Sequence, residues 1–247
     1  MTMLIRQSIL EATLFFRRKD ALFWTLAFPV FFMVLFGLIY GDSIETSMNM
    51  RHIDYLLPGI VVMGAMVTGV MLTASGFVGE REKGIYRRLA LTPLTRQTLI
   101  GSQLLTWYFV IIAQTIILIA IGVLAFKVNI TGNLFLDWLV VSFGAVCLMS
   151  IGFALTGLIK TARSAQPINQ MAFFILMFLG GVFFPINLLP GFLQKFASVL
   201  PSTQMNDALR MVTFQNAGFG DIWMKLVVMA AWTLGCLLLS IKFFRWE

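Results

Sequence analysis

Six apolar stretches divide this chain, at about residues 21–40, 56–78, 99–126, 138–159, 167–184 and 222–243. A helix rises 1.5 Å per residue, so a hydrocarbon core about 30 Å thick takes about 20 apolar residues to cross. The six stretches meet that requirement, and the third is long enough to tilt or to project beyond the bilayer. Of the 247 residues, 59% are hydrophobic and only 12% charged, against about 25% charged in a soluble domain. A chain this apolar (mean hydropathy +0.90) would expose large sticky patches in water, so lipid is its solvent. The expected fold class is an all-α integral membrane protein with six transmembrane helices, built as one domain over residues 1–247.

The net charge of +7 does not point to nucleic acid, because the basic residues sit in short caps between apolar stretches rather than along one face. An even number of spans puts both termini on one side. That side then carries Arg6, Arg17, Arg18, Lys19, Arg81, Lys83, Arg87, Arg88, Arg96, Lys160, Arg163, Lys242 and Arg245, thirteen cations against five on the other. By the positive-inside rule, both termini are cytoplasmic. Residues 1–20 form a separate element. Ile5, Ile9, Ala12 and Phe16 recur with helical spacing while Arg6, Gln7, Glu11, Arg17 and Arg18 fall mostly elsewhere, as in an amphipathic helix lying on the inner leaflet. A simple basic flank that sets topology is the alternative. No cleavable signal peptide is expected, since no small-residue cleavage site follows the first stretch.

Ion-coupled carriers need ionisable groups at membrane depth. None falls near the middle of any stretch, and Gln114 is the clearest polar residue there. It either lines a pathway or makes a bond between helices. Cys147 and Cys236 lie inside apolar stretches and read as small buried hydrophobes. His52 is the single histidine, so neither a metal site nor an intramembrane hydrolase can be assembled. Gly79 and Gly84 have the glycine spacing of a phosphate loop, but Ile85 and Tyr86 stand where Lys and Ser/Thr are required. The chain is therefore not an enzyme with its own nucleotide site, and no cofactor is expected on it.

One dense run of charge interrupts this pattern, Gly79-Glu80-Arg81-Glu82-Lys83-Gly84-Ile85-Tyr86-Arg87-Arg88. Ile85 and Leu89 can form an apolar ridge with Arg87 and Arg88 beside it. Pro93 ends the element, and Thr95 is placed to cap the next helix. Over residues 80–95 this reads as a short amphipathic helix held between two spans, or as a cationic anchor solvated by headgroups. Later in the chain, residues 185–215 are too apolar for an external loop and too broken for a span, with Pro185, Pro190 and Pro201 dividing them. Two short helices fit, at about 188–199 and 204–213, with Ser202 or Thr203 capping the second and Asp207 pairing locally with Arg210. A re-entrant hairpin covered by protein satisfies the backbone.

The pattern Glu80-Arg81-Glu82-Lys83-Gly84, then Arg87-Arg88-Leu89, then Thr92-Pro93-Leu94 resembles the cytoplasmic loop of type-2 ABC transporter permeases of the drug- and lipid-exporter class. Gly180-Gly181-Val182-Phe183-Phe184-Pro185, Leu189-Pro190, Leu200-Pro201-Ser202-Thr203 and Ala208-Leu209-Arg210 are similar to that family's signature around its fifth span. The resemblance implies a coupling helix seated on a separate ATP-binding subunit, which would hold the ATP and Mg²⁺. Glu80, Arg81, Glu82, Arg87 and Arg88 are the contact candidates, with Lys160 and Arg163 in a second contact at 160–166. It also implies a homodimer or a heterodimer with a related permease, in the plasma membrane of a prokaryote. Spans two and five would line the route, bringing Phe77, Phe173, Phe174 and Phe178 towards cargo, although such aromatics also serve as core or lipid-facing side chains. The expected function is ATP-driven export of a hydrophobic or amphipathic compound. Export of a lipid-linked glycan or of haem stands as a rival, as does a non-transporting membrane scaffold or immunity protein.

Overall fold

The computed structural model describes residues 2–40, 44–45, 50–89, 96–159, 161–183 and 185–243. Ten helices carry the fold among them: α1 Thr2–Arg17, α2 Phe23–Tyr40, α3 His52–Glu82, α4 Ile85–Leu89, α5 Arg96–Phe126, α6 Leu134–Leu158, α7 Ala162–Leu179, α8 Gly191–Ala197, α9 Pro201–Gln215 and α10 Phe219–Phe243. A one-turn helix, Lys19–Leu22, runs into α2, and a two-residue strand pair, Ile44–Glu45 with Met50–Arg51, joins α2 to α3.

Among the described residues, five helices are long and apolar enough to cross a membrane: α2, α3, Thr98–Phe126 within α5, α6, and Phe219–Ser240 within α10. The expected fifth stretch, 167–184, does not join them in the form anticipated. Its helix, α7, starts earlier because Thr161 and Ser164 form a reciprocal capping box. It stops at Gly180, with Gly181 turning the chain at φ +64°. The result is an 18-residue helix whose first turns are polar.

The centre of the bundle is α3. Nearly every side chain from Ile53 to Val70 is buried, against α2, α5, α6, α7 and α9. Small residues permit that enclosure. A Cβ on Gly69 would lie 2.9 Å from Leu148 Cβ, and one on Gly152 only 2.2 Å from the Gly69 carbonyl oxygen, so α3 and α6 cross at backbone contact. Gly59 meets the Val182 carbonyl oxygen in the same way, at 2.3 Å. Gly152→Ala is expected to destabilise the fold by about 2 kcal/mol through overpacking, read as a lower melting temperature of the purified protein, whereas Gly76→Ala, which meets open space, should not.

α1 is helical as expected and lies along the first half of α5. The Ser8 hydroxyl donates to the Ser102 carbonyl at 3.4 Å, and that of Thr106 donates to the Ser8 carbonyl at 3.2 Å. Phe15 is the side chain this docking buries, edge-on to Trp107, while Ile5, Ile9 and Phe16 remain exposed on the outer face. That exposed stripe suits an interfacial helix.

After α7, a 3₁₀ turn at Ile186–Leu188 leads into two short helices, α8 and α9. Ser202 and Thr203 do not cap α9. Pro201 occupies its first position and starts it, so both hydroxyls fall inside the helix. They donate instead to the Leu176 and Leu179 carbonyls at 2.9 and 3.3 Å, tying α9 to the end of α7. The Asp207–Arg210 pair forms, at 4.0 Å. Pro93 and Thr95 lie outside the described residues.

Candidate functional site

Successive residues on a helix point about 100° apart, so Glu80, Arg81 and Glu82 at the end of α3 cannot share a face. The structure turns each towards a different helix. Glu80 accepts a hydrogen bond from the Gln103 amide of α5. Arg81 donates to the Thr156 carbonyl at 3.2 Å and to the Ile159 carbonyl, covering the C-terminal end of α6. Glu82 accepts from the Ala162 N–H at 2.9 Å, at the first residue of α7. A cation on exposed carbonyls and an anion on an exposed N–H both complement the helix dipoles they face. Arg81 and Glu82 thus clasp the two sides of the α6–α7 connection.

Glu80, Arg81 and Glu82 therefore belong to the end of α3. Gly84, at φ +67°, breaks the helix after Glu82, and the remainder starts afresh as α4. Tyr86 anchors this elbow. Its ring is buried and stacks on Phe77, which meets Phe153 edge-on at 5.0 Å. Burial, and then the Glu80 charge, push the Tyr86 phenol above its ordinary pKa. Glu11 of α1 reaches the same corner, where burial and then Glu80 hold its carboxyl above the usual carboxylate range.

Of the contact candidates, Arg88 on α4 and Arg163 in the first turn of α7 are exposed, while Glu80 and Arg81 are turned into the bundle. Glu82 stays exposed while it holds Ala162. The Arg87 side chain and Lys160 lie outside the described residues.

The route candidates separate as well. Phe77 is 2% exposed and belongs to the core beneath Tyr86. Gln114 is equally buried. Its amide oxygen accepts from Thr68 at 3.4 Å, and its amide nitrogen occupies the space a side chain on Gly64 would need, which makes it a bond between helices. Phe173 forms part of a cavity of about 410 Å³ between α2, α3 and α7, beside Met71, Ser75, Gln166 and Gln170. Phe174 and Phe178 are exposed on the far face of α7.

A sequence-family model described as ABC-2 type transporter matches residues 2–214, most of the chain. The chain belongs to the ABC-2 type transporter family. Among curated relatives, this ABC-2 chain is 23% identical over 250 residues to the putative transport permease YvfS of Bacillus subtilis, covering 99% of this chain and 98% of that one. It is 27% identical over 199 residues to the inner membrane transport permease YadH of Escherichia coli, covering 75% and 74% of the two. It is 22% identical over 179 residues to the probable multidrug ABC transporter permease YbhR of Escherichia coli, at 72% and 48%. Similarity to ABC transporter G family member 20 of Dictyostelium discoideum (23% identity) takes in 82% of this chain but only 27% of that protein. ABC-2 membrane domains are normally not catalytic themselves.

Several residues that organise this part of the ABC-2 chain were not legible beforehand. Tyr86 passed for a residue occupying a phosphate-loop position, yet a lone aromatic just after a glycine break is a possible anchor signal. Gln103 and Phe15 carried no distinguishing context. Asp137, 5% exposed in the first turn of α6, was passed over because the fourth stretch was counted from residue 138.

Proposed function

We propose that this chain is the permease of an ATP-driven exporter, energised by a separate ATP-binding subunit that docks at α4. The clasp at the end of α3 carries the reading. One elbow, fixed to the core by Tyr86, presents Arg88 outward, and the adjoining turn of α3 holds α5, α6 and α7 at once. A load applied to α4 would reach four helices through short charge-assisted bonds, which a floppy loop could not achieve. In this reading α7 makes the fifth of six crossings and α8–α9 re-enter the outer leaflet. Both termini face the cytoplasm of a prokaryote. Two copies, or one copy with a related permease, enclose the route, with the α2–α3–α7 cavity as its inner part. Among the described residues no charged side chain lines that cavity, so a hydrophobic or amphipathic cargo suits it; a relative named as a probable multidrug permease favours the same class.

Arg88→Glu tests the docking directly. The variant should reach the membrane in normal amount, since the side chain is exposed. It should retain at least about tenfold less ATP-binding subunit on co-purification, the loss from one interfacial charge reversal being about 1.4 kcal/mol or more. Full export by an Arg88→Glu, Glu82→Lys double variant would remove the proposal. A partner ATPase that binds normally yet never responds to any cargo would favour a scaffold instead.

A further inference from the structure

A second cavity, of about 550 Å³, lies on the flank of the bundle between the start of α3, the second half of α5, the start of α6 and α9. It is separate from the α2–α3–α7 cavity, and its size suits one drug-sized molecule. Its walls are apolar, with Val61, Ile119 and Val141 among them. Ile116, Leu124, Leu134 and Trp138 at its edge are exposed, so it opens sideways to the lipid surrounding the helices. One ionisable group lines it, the Asp137 carboxyl. Thr213 of α9 donates to one carboxyl oxygen at 2.9 Å, and among the described residues no lysine or arginine pairs with it. Arg210, on α9 like Thr213, faces Tyr55 and Gly181, and Lys225 lies 3.6 Å from Asp207.

We propose that this flank cavity is a lateral binding site for a lipophilic amine, its apolar chain along α5 and its ammonium against Asp137. The complementarity is directional. A carboxylate without a cationic partner attracts an ammonium donor, gives a neutral alcohol little beyond a hydrogen bond, and repels phosphate or carboxylate headgroups. The site is reached from the bilayer, and it does not depend on the direction or existence of transport.

Trp138 at the rim supplies the readout. The purified protein in nanodiscs is titrated with 12-bromododecylamine, whose bromine quenches nearby indoles, and the signal of a Trp138→Phe protein is subtracted. The amine should saturate the Trp138 signal at a concentration at least tenfold lower than 12-bromododecanol or 12-bromododecanoate. Asp137→Asn, which keeps an acceptor for Thr213, should shift the amine to the alcohol's affinity. Equal affinity for the three headgroups, which needs no variant, would show a site for any acyl chain and overturn the proposal. So would an Asp137→Asn protein that binds the amine as the wild type does.

Discussion

Arg210→Ala is expected to destabilise the folded permease by about 3–5 kcal/mol, an unusually large effect for a single cation. The guanidinium is 6% exposed and does three things at once. It donates to the Gly181 carbonyl at 2.8 Å and to the Tyr55 carbonyl at 3.3 Å, and it lies 3.8 Å above the Tyr55 ring. Hydrogen bonds from a charged donor contribute about 1.5–3 kcal/mol each, and a desolvated cation over an aromatic face about 2. Alanine would leave the Tyr55 carbonyl short of a partner and open a cavity where α3, α9 and the end of α7 meet. Asn206 would still hold the Gly180 and Gly181 carbonyls, at 3.2 and 2.7 Å, which limits the damage. Arg210→Lys should recover less than half, because an ammonium cannot span both carbonyls and also lie flat on the ring. At about 2–4 °C per kcal/mol for a chain of this size, alanine should lower the melting temperature by about 10 °C. A shift within about 2 °C would show that Arg210 is not the tie described.

Under the proposed function, Arg81→Met should leave a folded complex whose ATP-binding subunit burns ATP while no cargo moves. Methionine keeps an apolar stem but loses both bonds to the end of α6. The motion of α3 would then no longer carry α6 with it. Transport in vesicles should fall at least tenfold while the partner subunit still co-purifies, since Arg81 is turned into the bundle. Glu82→Gln should act in the same direction and more weakly, because the amide oxygen still accepts from Ala162 without the charge. Both residues hold the same α6–α7 connection, so the double variant should lose less than the sum of the two. Cargo-stimulated ATPase and transport measured on one preparation decide the matter. Unimpaired transport by Arg81→Met would mean that the clasp transmits nothing.

The elements of this fold were readable where a single physical pattern governs them. Runs of about 20 apolar residues mark α2, α3, α5, α6 and α10, since length and apolarity are local properties. The start of α7 was not found from hydropathy, because a Thr161–Ser164 box and not an apolar run sets it. The Glu80–Glu82 run was recognised as important, but its contacts within the chain were not foreseen. Charge suggests a solvated contact, and only the packing reveals that a free α6 end and a free α7 start lie within reach. Asp207 and Arg210 were correctly paired by their spacing. The partners that matter more to Arg210, Tyr55 and Gly181, lie 155 and 29 residues away and carry no local signal.

The close crossing at Gly69 also bears on how α3 can act. It falls near the middle of a 31-residue helix and within a wide, π-type turn at Val67–Leu72. In the proposed mechanism such a crossing is a fulcrum, provided the Gly59–Val182 contact gives way. With a rise of 1.5 Å per residue, a tilt of about 10° there would carry the Glu82 end about 3 Å one way and the His52 end about 4 Å the other. A small shove on one side of the bilayer would emerge, reversed and slightly enlarged, on the opposite side.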